Sequence, residues 1–220
     1  MAATRSSYAW QRMSVVTDLP AKPTPPLPGP DTAGPDLAGL TQAAKQAGGR
    51  PVHLWNPPFC GDIDMRIAAD GTWHYMKSPI GRIELVKLFS SILRRDEDRY
   101  VLVTPVERVG ITVDDAPFLA VEMRVASRPN GRSVAFRTNV DDWSEAGPDH
   151  AMRFETGAAE GLKPYVHVRA GLWARVSRAL YYDFVELGET REIEGVAMFG
   201  VASNGVFFAM APAGEIGVES

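Results

Sequence analysis

Residues 62–113 and 165–211 of this chain spell the same succession of elements, and that repetition limits what the chain can fold into. In the first stretch Ile63, Met65 and Ile67 alternate with Asp62, Asp64 and Arg66, the period of a half-buried strand. Asp70-Gly71 marks a turn, and residues 73–76 return as a second strand. Ser78 is placed to cap a helix with Pro79 at its first position, where a missing N–H costs nothing. Leu85, Leu88, Phe89 and Ile92 form its inner face, and Arg94-Arg95 sit at its negative end. Strands are predicted at 100–104 and 109–113. In the second stretch Val166 and Val168 alternate with Tyr165, His167 and Arg169, Ala170-Gly171 turns the chain, and residues 172–176 return. Ser177 caps a helix with Leu180, Phe184 and Leu187 inward, and Gly188 stops it. Strands 196–201 and 206–210 are joined by Asn204-Gly205. Trp73 and Trp173 fall five and four residues before their caps. The shared order predicts an α+β fold of duplicated β-β-α-β-β halves with antiparallel sheets.

A third hairpin is predicted between the halves, Phe118–Ser127 with Ser133–Asn139, about Pro129-Asn130-Gly131. Setting Val125 opposite Phe136 keeps apolar residues together and rejects a one-residue slip that would bury Arg137. That register puts Arg124 opposite Arg137, a like-charge pair that a bound anion, or Glu122 lying diagonally, would relieve. Ahead of the repeat, Asp36 reads as the N-cap of a helix carrying Leu37, Leu40 and Ala44 on one face and ended by Gly48-Gly49. Residues 1–35 read as a proline-rich flexible tail, a linker or a ligand for a partner. The predicted divisions are therefore 1–35, 36–114 and 115–220, the last including the central hairpin. Met13 stands beside Met1 as an alternative start.

The 220 residues are 45% hydrophobic and 23% charged, ordinary for a globular protein, and the net charge of −4 supplies no basic field for nucleic acid. The single Cys60 cannot staple its own chain and fits a reducing compartment. Tyr8 to Met13 is too polar for a signal peptide, and no run approaches the roughly 20 apolar residues of a membrane span. The cytoplasm is the expected location. Phosphate-binding GxxxxGK[ST], GxGxxG and HExxH patterns are absent. The Ser203 run Gly200–Gly205 has one residue too many for a nucleophile elbow and lies on a hairpin. His53, Cys60, Asp62, Asp64 and His74 match no common zinc spacing. Neither metal nor cofactor is expected, and the reading leans away from catalysis.

Arginines carry the remaining signal. Arg137 and Asn139 end the central hairpin, and Arg169 lies just before a glycine turn. Arg178 opens a helix against its dipole, with Tyr182 one turn on. An anionic guest would offset that cost, and an aromatic ring would stack on it. The plainer account pairs these arginines with Glu107, Glu122, Glu155 or Asp183 between the halves.

The segments CGDIDMRIAADGTWHYMKSPIGRIELVKLFSSIL, VLVTPVERVGITVDDAPFLAVEM, FRTN, PYVHVRAGLWARVSRALYYDFVEL and the SNGVFF hairpin run through most of residues 51–211. Together they resemble the bacterial family known as domain of unknown function 1285. That resemblance implies a duplicated α+β core, a second half superficially like pleckstrin-homology folds, and a ligand site between the halves for a nucleotide-like molecule in signalling. It implies no activity and no catalytic residue. The resulting expectation is a non-catalytic binding or regulatory protein that holds a small anionic ligand through Arg137, Asn139, Arg169, Arg178 and Tyr182. The alternatives are a protein–protein adaptor using a sheet edge or the tail, and an enzyme of unfamiliar mechanism drawing on Cys60, His74 and Asp64.

Overall fold

The structure, a computed structural model, describes residues 37–47, 52–129, 131–157 and 161–216. The expected tail and the helix caps Asp36, Gly48 and Gly49 lie outside these residues. Helix α1 (Leu37–Ala47) buries Leu40 and Ala44 completely, as their spacing predicts. A 3-10 turn, Val52–Leu54, leads into β1 (Phe59–Ile67), where Met65 and Ile67 are buried while Asp62, Asp64 and Arg66 face solvent. Gly71, at φ +82°, turns the chain into β2 (Trp73–Tyr75), which sets Trp73 opposite Ile67. Next come β3 (Ser78–Pro79), α2 (Ile83–Ser91), β4 (Leu93–Asp96), β5 (Arg99–Val103) and β6 (Arg108–Val113). They form one sheet in the order β3-β2-β1-β6-β5-β4, antiparallel except where β6 runs parallel to β1. Trp73 stacks on Phe89 with ring centroids 6.5 Å apart, which seats α2 against the sheet.

Ser78 and Pro79 do not start a helix. Met76 and Lys77 both take positive φ, 49° and 64°, and close a tight hairpin that brings Pro79 opposite His74. Proline is tolerated there because β3 is an edge strand. The helix begins at Ile83 behind Arg82, with Glu84 in its first turn. Arg94 and Arg95 belong to strand β4 rather than to the helix end.

The remaining strands and helices are β7 (Phe118–Arg128), β8 (Gly131–Thr138), β9 (Trp143–Glu145), β10 (Met152–Gly157), β11 (Gly161–Arg169), β12 (Leu172–Val176), α3 (Arg178–Glu186), β13 (Glu189–Ile193), β14 (Val196–Ser203), β15 (Val206–Pro212) and α4 (Ala213–Ile216). A second six-stranded sheet has the order β10-β11-β12-β7-β8-β9, and β13-β14-β15 form a third sheet. Strand, turn, strand, helix and three strands recur in both halves: β1, β2, α2, β4–β6 and then β11, β12, α3, β13–β15. Each half has one more strand after its helix than the predicted pattern. The pairing also differs. In the first half β6 closes beside β1, whereas β11 and β12 are flanked by β10 and β7 from the segment between the halves.

The central hairpin is shifted by two residues from its predicted register. Met123, not Val125, faces Phe136, and Glu122, not Arg124, faces Arg137. The strands close directly from Arg128 to Gly131, whose φ of +105° suits glycine, and a bulge between Ala120 and Glu122 slips the pairing by one further residue, to Ala120 opposite Thr138. A two-residue shift keeps every side chain on its face, so the burial pattern alone did not select it. β12 pairs with β7 only over Phe118–Ala120, so among the described residues 121–128 have a strand partner on the β8 side alone.

Buried apolar residues from all three sheets join in one cluster. Phe184 of α3 is fully buried against Phe136 and Phe154, with centroids 5.9 and 6.4 Å away. Among the described residues no helix is long and apolar enough to cross a membrane.

Candidate ligand-binding site

Of the five residues singled out from the sequence, Asn139 and Arg169 clip the second half onto the first directly, and Arg137 does so through Asp141. Asn139 donates to the Gly71 carbonyl at 3.2 Å and accepts from the Leu119 N–H at 3.1 Å. A Cβ on Gly71 would stand 2.8 Å from the Asn139 amide nitrogen, so glycine makes this close approach possible. Arg169 pairs with Asp142, donates to the Ser90 carbonyl at the end of α2 (2.8 Å), and lies over the Phe118 ring. Arg137 donates to Glu122 at 2.6 Å and to Asp141 at 2.7 Å, and Asp141 in turn holds Lys87 of α2 at 2.7 Å. A fourth clip is Arg175, which reaches the Ala69 carbonyl at 2.9 Å and Asp115 at 3.2 Å. Glu122 is thus a partner of Arg137, as the plainer account had it. Asp142, the partner of Arg169, was not among the carboxylates considered.

The Lys87–Asp141–Arg137–Glu122 chain has a pH signature. Hydrogen bonds from Lys87 and then Arg137 hold the Asp141 carboxyl below its ordinary range, and the hydrogen bond from Arg137 does the same for Glu122. Groups with depressed folded pKa values add stability that is present above their unfolded values, about 3.9 for Asp and 4.3 for Glu, and lost as pH falls through the folded ones. The melting temperature is therefore expected to fall on acidification below about pH 4. Asp141→Asn should remove part of this loss, seen as a flatter acid limb in a melting series from pH 7 to 3. An unchanged acid limb would show that the chain of charges adds nothing at this junction.

Arg178 and Tyr182 lie elsewhere, in a concavity of about 230 Å³ where the start of β11, the end of β12 and the start of α3 converge. Leu162, Pro164 and Val176 supply apolar wall, while Lys163, Arg175, Arg178, Tyr181 and Tyr182 supply polar groups. No carboxylate is among the lining residues. Among the described residues Arg178 has no hydrogen-bond or ion-pair partner, and it is exposed. Ser177 takes the extended backbone of an N-cap, but its side chain makes no capping hydrogen bond, and the first turn of α3 has no acidic residue. The helix therefore presents unsatisfied N–H groups and the positive end of its dipole beside three cationic side chains. Tyr181 and Tyr182 meet edge to face at 5.7 Å, and Tyr182 is 63% exposed. The arrangement can hold an anion against the helix start and a flat ring against tyrosine.

The sequence reading missed Lys163, which precedes the strand expected from Tyr165, and Arg175, which sits on the return strand. Arg175 does alternate with Ala174 and Val176, so its outward direction was available. Of the possible catalytic side chains, Cys60 is exposed, and its thiol lies 3.6 Å from the Pro58 carbonyl oxygen. Among the described residues no three His, Cys, Asp or Glu side chains gather as a metal site would require.

Comparison with known proteins agrees with the fold. Residues 50–116 match the N-terminal domain of the family described as domain of unknown function DUF1285, and residues 117–210 match its C-terminal domain. A crystal structure of a DUF1285 family protein from Silicibacter pomeroyi DSS-3 is 50% identical, with a TM-score of 0.73, covering 81% of this chain and 97% of that one. Another, from Shewanella baltica OS155, is 31% identical, with a TM-score of 0.46, covering 56% of this chain and 91% of that one. Comparison with curated proteins finds no match. The matches to both family domains and the half-identical crystal structure lead to one assignment: the chain belongs to the DUF1285 family.

Proposed function

We propose that this protein is a non-catalytic binding or regulatory protein for a small anionic, nucleotide-like ligand, and that the ligand seats at the start of α3. Arg178 and Tyr182 contact it directly, with Lys163, Arg175 and Tyr181 around them. Arg137, Asn139 and Arg169 serve as clips that fix the junction the ligand site borders. Cytoplasmic residence, a signalling role, the pleckstrin-homology-like character of the second half and division of the chain after residues 35 and 114 belong to the same proposal. One observation carries it: a helix start without a side-chain cap or an acidic first turn, opening into a concavity lined by cations and by no carboxylate. Arg178 at that end of the helix costs a few tenths of a kcal/mol unless an anion joins it.

The test is thermal stabilisation by a panel of nucleotides and sugar phosphates. A ligand at a hundred times its Kd adds about 2.7 kcal/mol, which raises the melting temperature of a chain this size by about 5–10 °C. Arg178→Glu, at an exposed position, is expected to fold normally and to remove the part of the shift that binding at α3 supplies. A panel without effect at millimolar concentration would overturn the proposal.

A further inference from the structure

A larger cleft, about 770 Å³, opens on the first half between the 3-10 turn, β1, β6 and the β4–β5 hairpin. Arg94 builds its wall. The guanidinium donates to both oxygens of Asp96, at 2.5 and 2.9 Å, and to the carbonyls of Val52 and Trp55, at 3.0 and 2.5 Å. The 3-10 turn is thereby fastened to β4, and Trp55 is held at the rim. Asp96 also accepts from Arg108 at 2.8 Å, so one half-buried carboxylate serves two guanidiniums. Hydrogen bonding from Arg94, above all, keeps that carboxylate ionised by lowering its pKa.

Guanidinium donors remain. Among the described residues Nε of Arg108 is buried without a hydrogen-bond partner. Arg99 is 65% exposed and among the described residues has one ion-pair partner, Asp62, at 3.7 Å. Arg95 donates Nε to the Glu97 carbonyl at 3.0 Å and stands 4.0 Å from Asp98. Arg99 and Arg108 both lie over the ring of Phe59, 5.6 and 5.9 Å from its centre, and the ring is itself 41% exposed. Four arginines thus line the cleft beside two aromatic rings, with Asp96 and Glu97 in the lining and Asp62 and Asp98 pairing Arg99 and Arg95 from outside it. Guanidiniums stacked on an aromatic face keep their in-plane N–H donors free for an oxyanion.

We propose that this cleft is a second ligand site, for an organic phosphate with a planar ring. Arg95, Arg99 and Arg108 hold the phosphate oxygens, and Trp55 and Phe59 flank the ring. Its volume falls in the range of small-molecule sites. It shares no lining residue with the concavity at α3, so either site can fail without the other.

The experiment uses the full chain with ADP and inorganic pyrophosphate as probes, read by amide and indole N–H signals in NMR titrations. ADP is expected to move the Trp55 indole signal and to bind at least tenfold more tightly than pyrophosphate, which lacks the ring. Arg99→Glu, at an exposed position, should weaken this binding at least tenfold with an unchanged melting temperature, while Arg178→Glu leaves it intact. Arg95→Glu serves as the second variant should the first fold poorly. A Trp55 signal unmoved by millimolar ADP, or an Arg99→Glu protein that binds as tightly as the wild type, overturns the proposal.

Discussion

Phe184→Ala is expected to lower the melting temperature by roughly 6–20 °C, from about 3–5 kcal/mol for emptying a buried aromatic position and 2–4 °C per kcal/mol in a chain of this size. Phe184 has no exposed surface, and its ring lies between Phe136 of β8 and Phe154 of β10. It is the fully buried residue of α3, a helix of nine residues, too short to persist on its own. The same nine residues carry Arg178, Tyr181 and Tyr182, so loss of the ring unseats the proposed ligand site along with the helix. Thermal denaturation followed by circular dichroism measures the first effect, and ligand-induced shift measures the second. A drop of under about 2 °C, less than 1 kcal/mol at this size, would mean that α3 is anchored by other contacts.

Gly200→Ala should be nearly as costly, about 3 kcal/mol, because overpacking is severe where backbone blocks the added methyl. A Cβ at this position would lie 2.3 Å from the Phe208 carbonyl oxygen, 2.9 Å from the Ala209 Cα and 2.7 Å from the Phe207 ring. The pairing of β14 with β15 slips just here, between Phe199 and Gly200. Gly110→Ala supplies the contrast. There the nearest atom, Asp62 Oδ1, is closer still at 1.9 Å, but it ends an exposed side chain that can swing into water. Its cost should stay below about 1 kcal/mol. Urea denaturation of the two variants side by side decides the matter. Equal midpoints would show that β14 and β15 give way as readily as a surface carboxylate.

The elements legible from the sequence are those whose signal is local. Alternation marked β1 and β11, Asp70-Gly71 and Asn204-Gly205 marked tight turns, and the spacing of Leu180 and Phe184 marked α3. β4 and β13 escaped because Leu93–Asp96 and Glu189–Ile193 are mostly charged and carry no alternation of apolar residues. Their hairpins also turn on Glu97 and Glu194, each at φ +51°, residues that do not advertise a left-handed backbone. The parallel pairings of β1 with β6 and of β12 with β7 join distant segments, and no local pattern names such a partner. For the site, Arg178 and Tyr182 were legible because a cation at a helix start conflicts with the dipole. The residue directly opposite Arg137 was misplaced by the two-residue register error, which set Arg124 there instead of Glu122. Asp141 and Asp142 follow Asn139 closely in sequence, yet only the turn after β8 shows that one serves Arg137 and the other Arg169.

The unshared margin of β7 has a consequence for how the molecule yields. Along 121–128 the outward N–H and C=O groups have no neighbouring strand among the described residues, and Val121 and Val125 are 39% and 47% exposed. Little buried surface is lost when this ribbon peels away from β8, so its opening free energy lies well below that of global unfolding. The outer end of the hairpin is the place where the fold breathes first, while Phe136 at its base stays locked in the core.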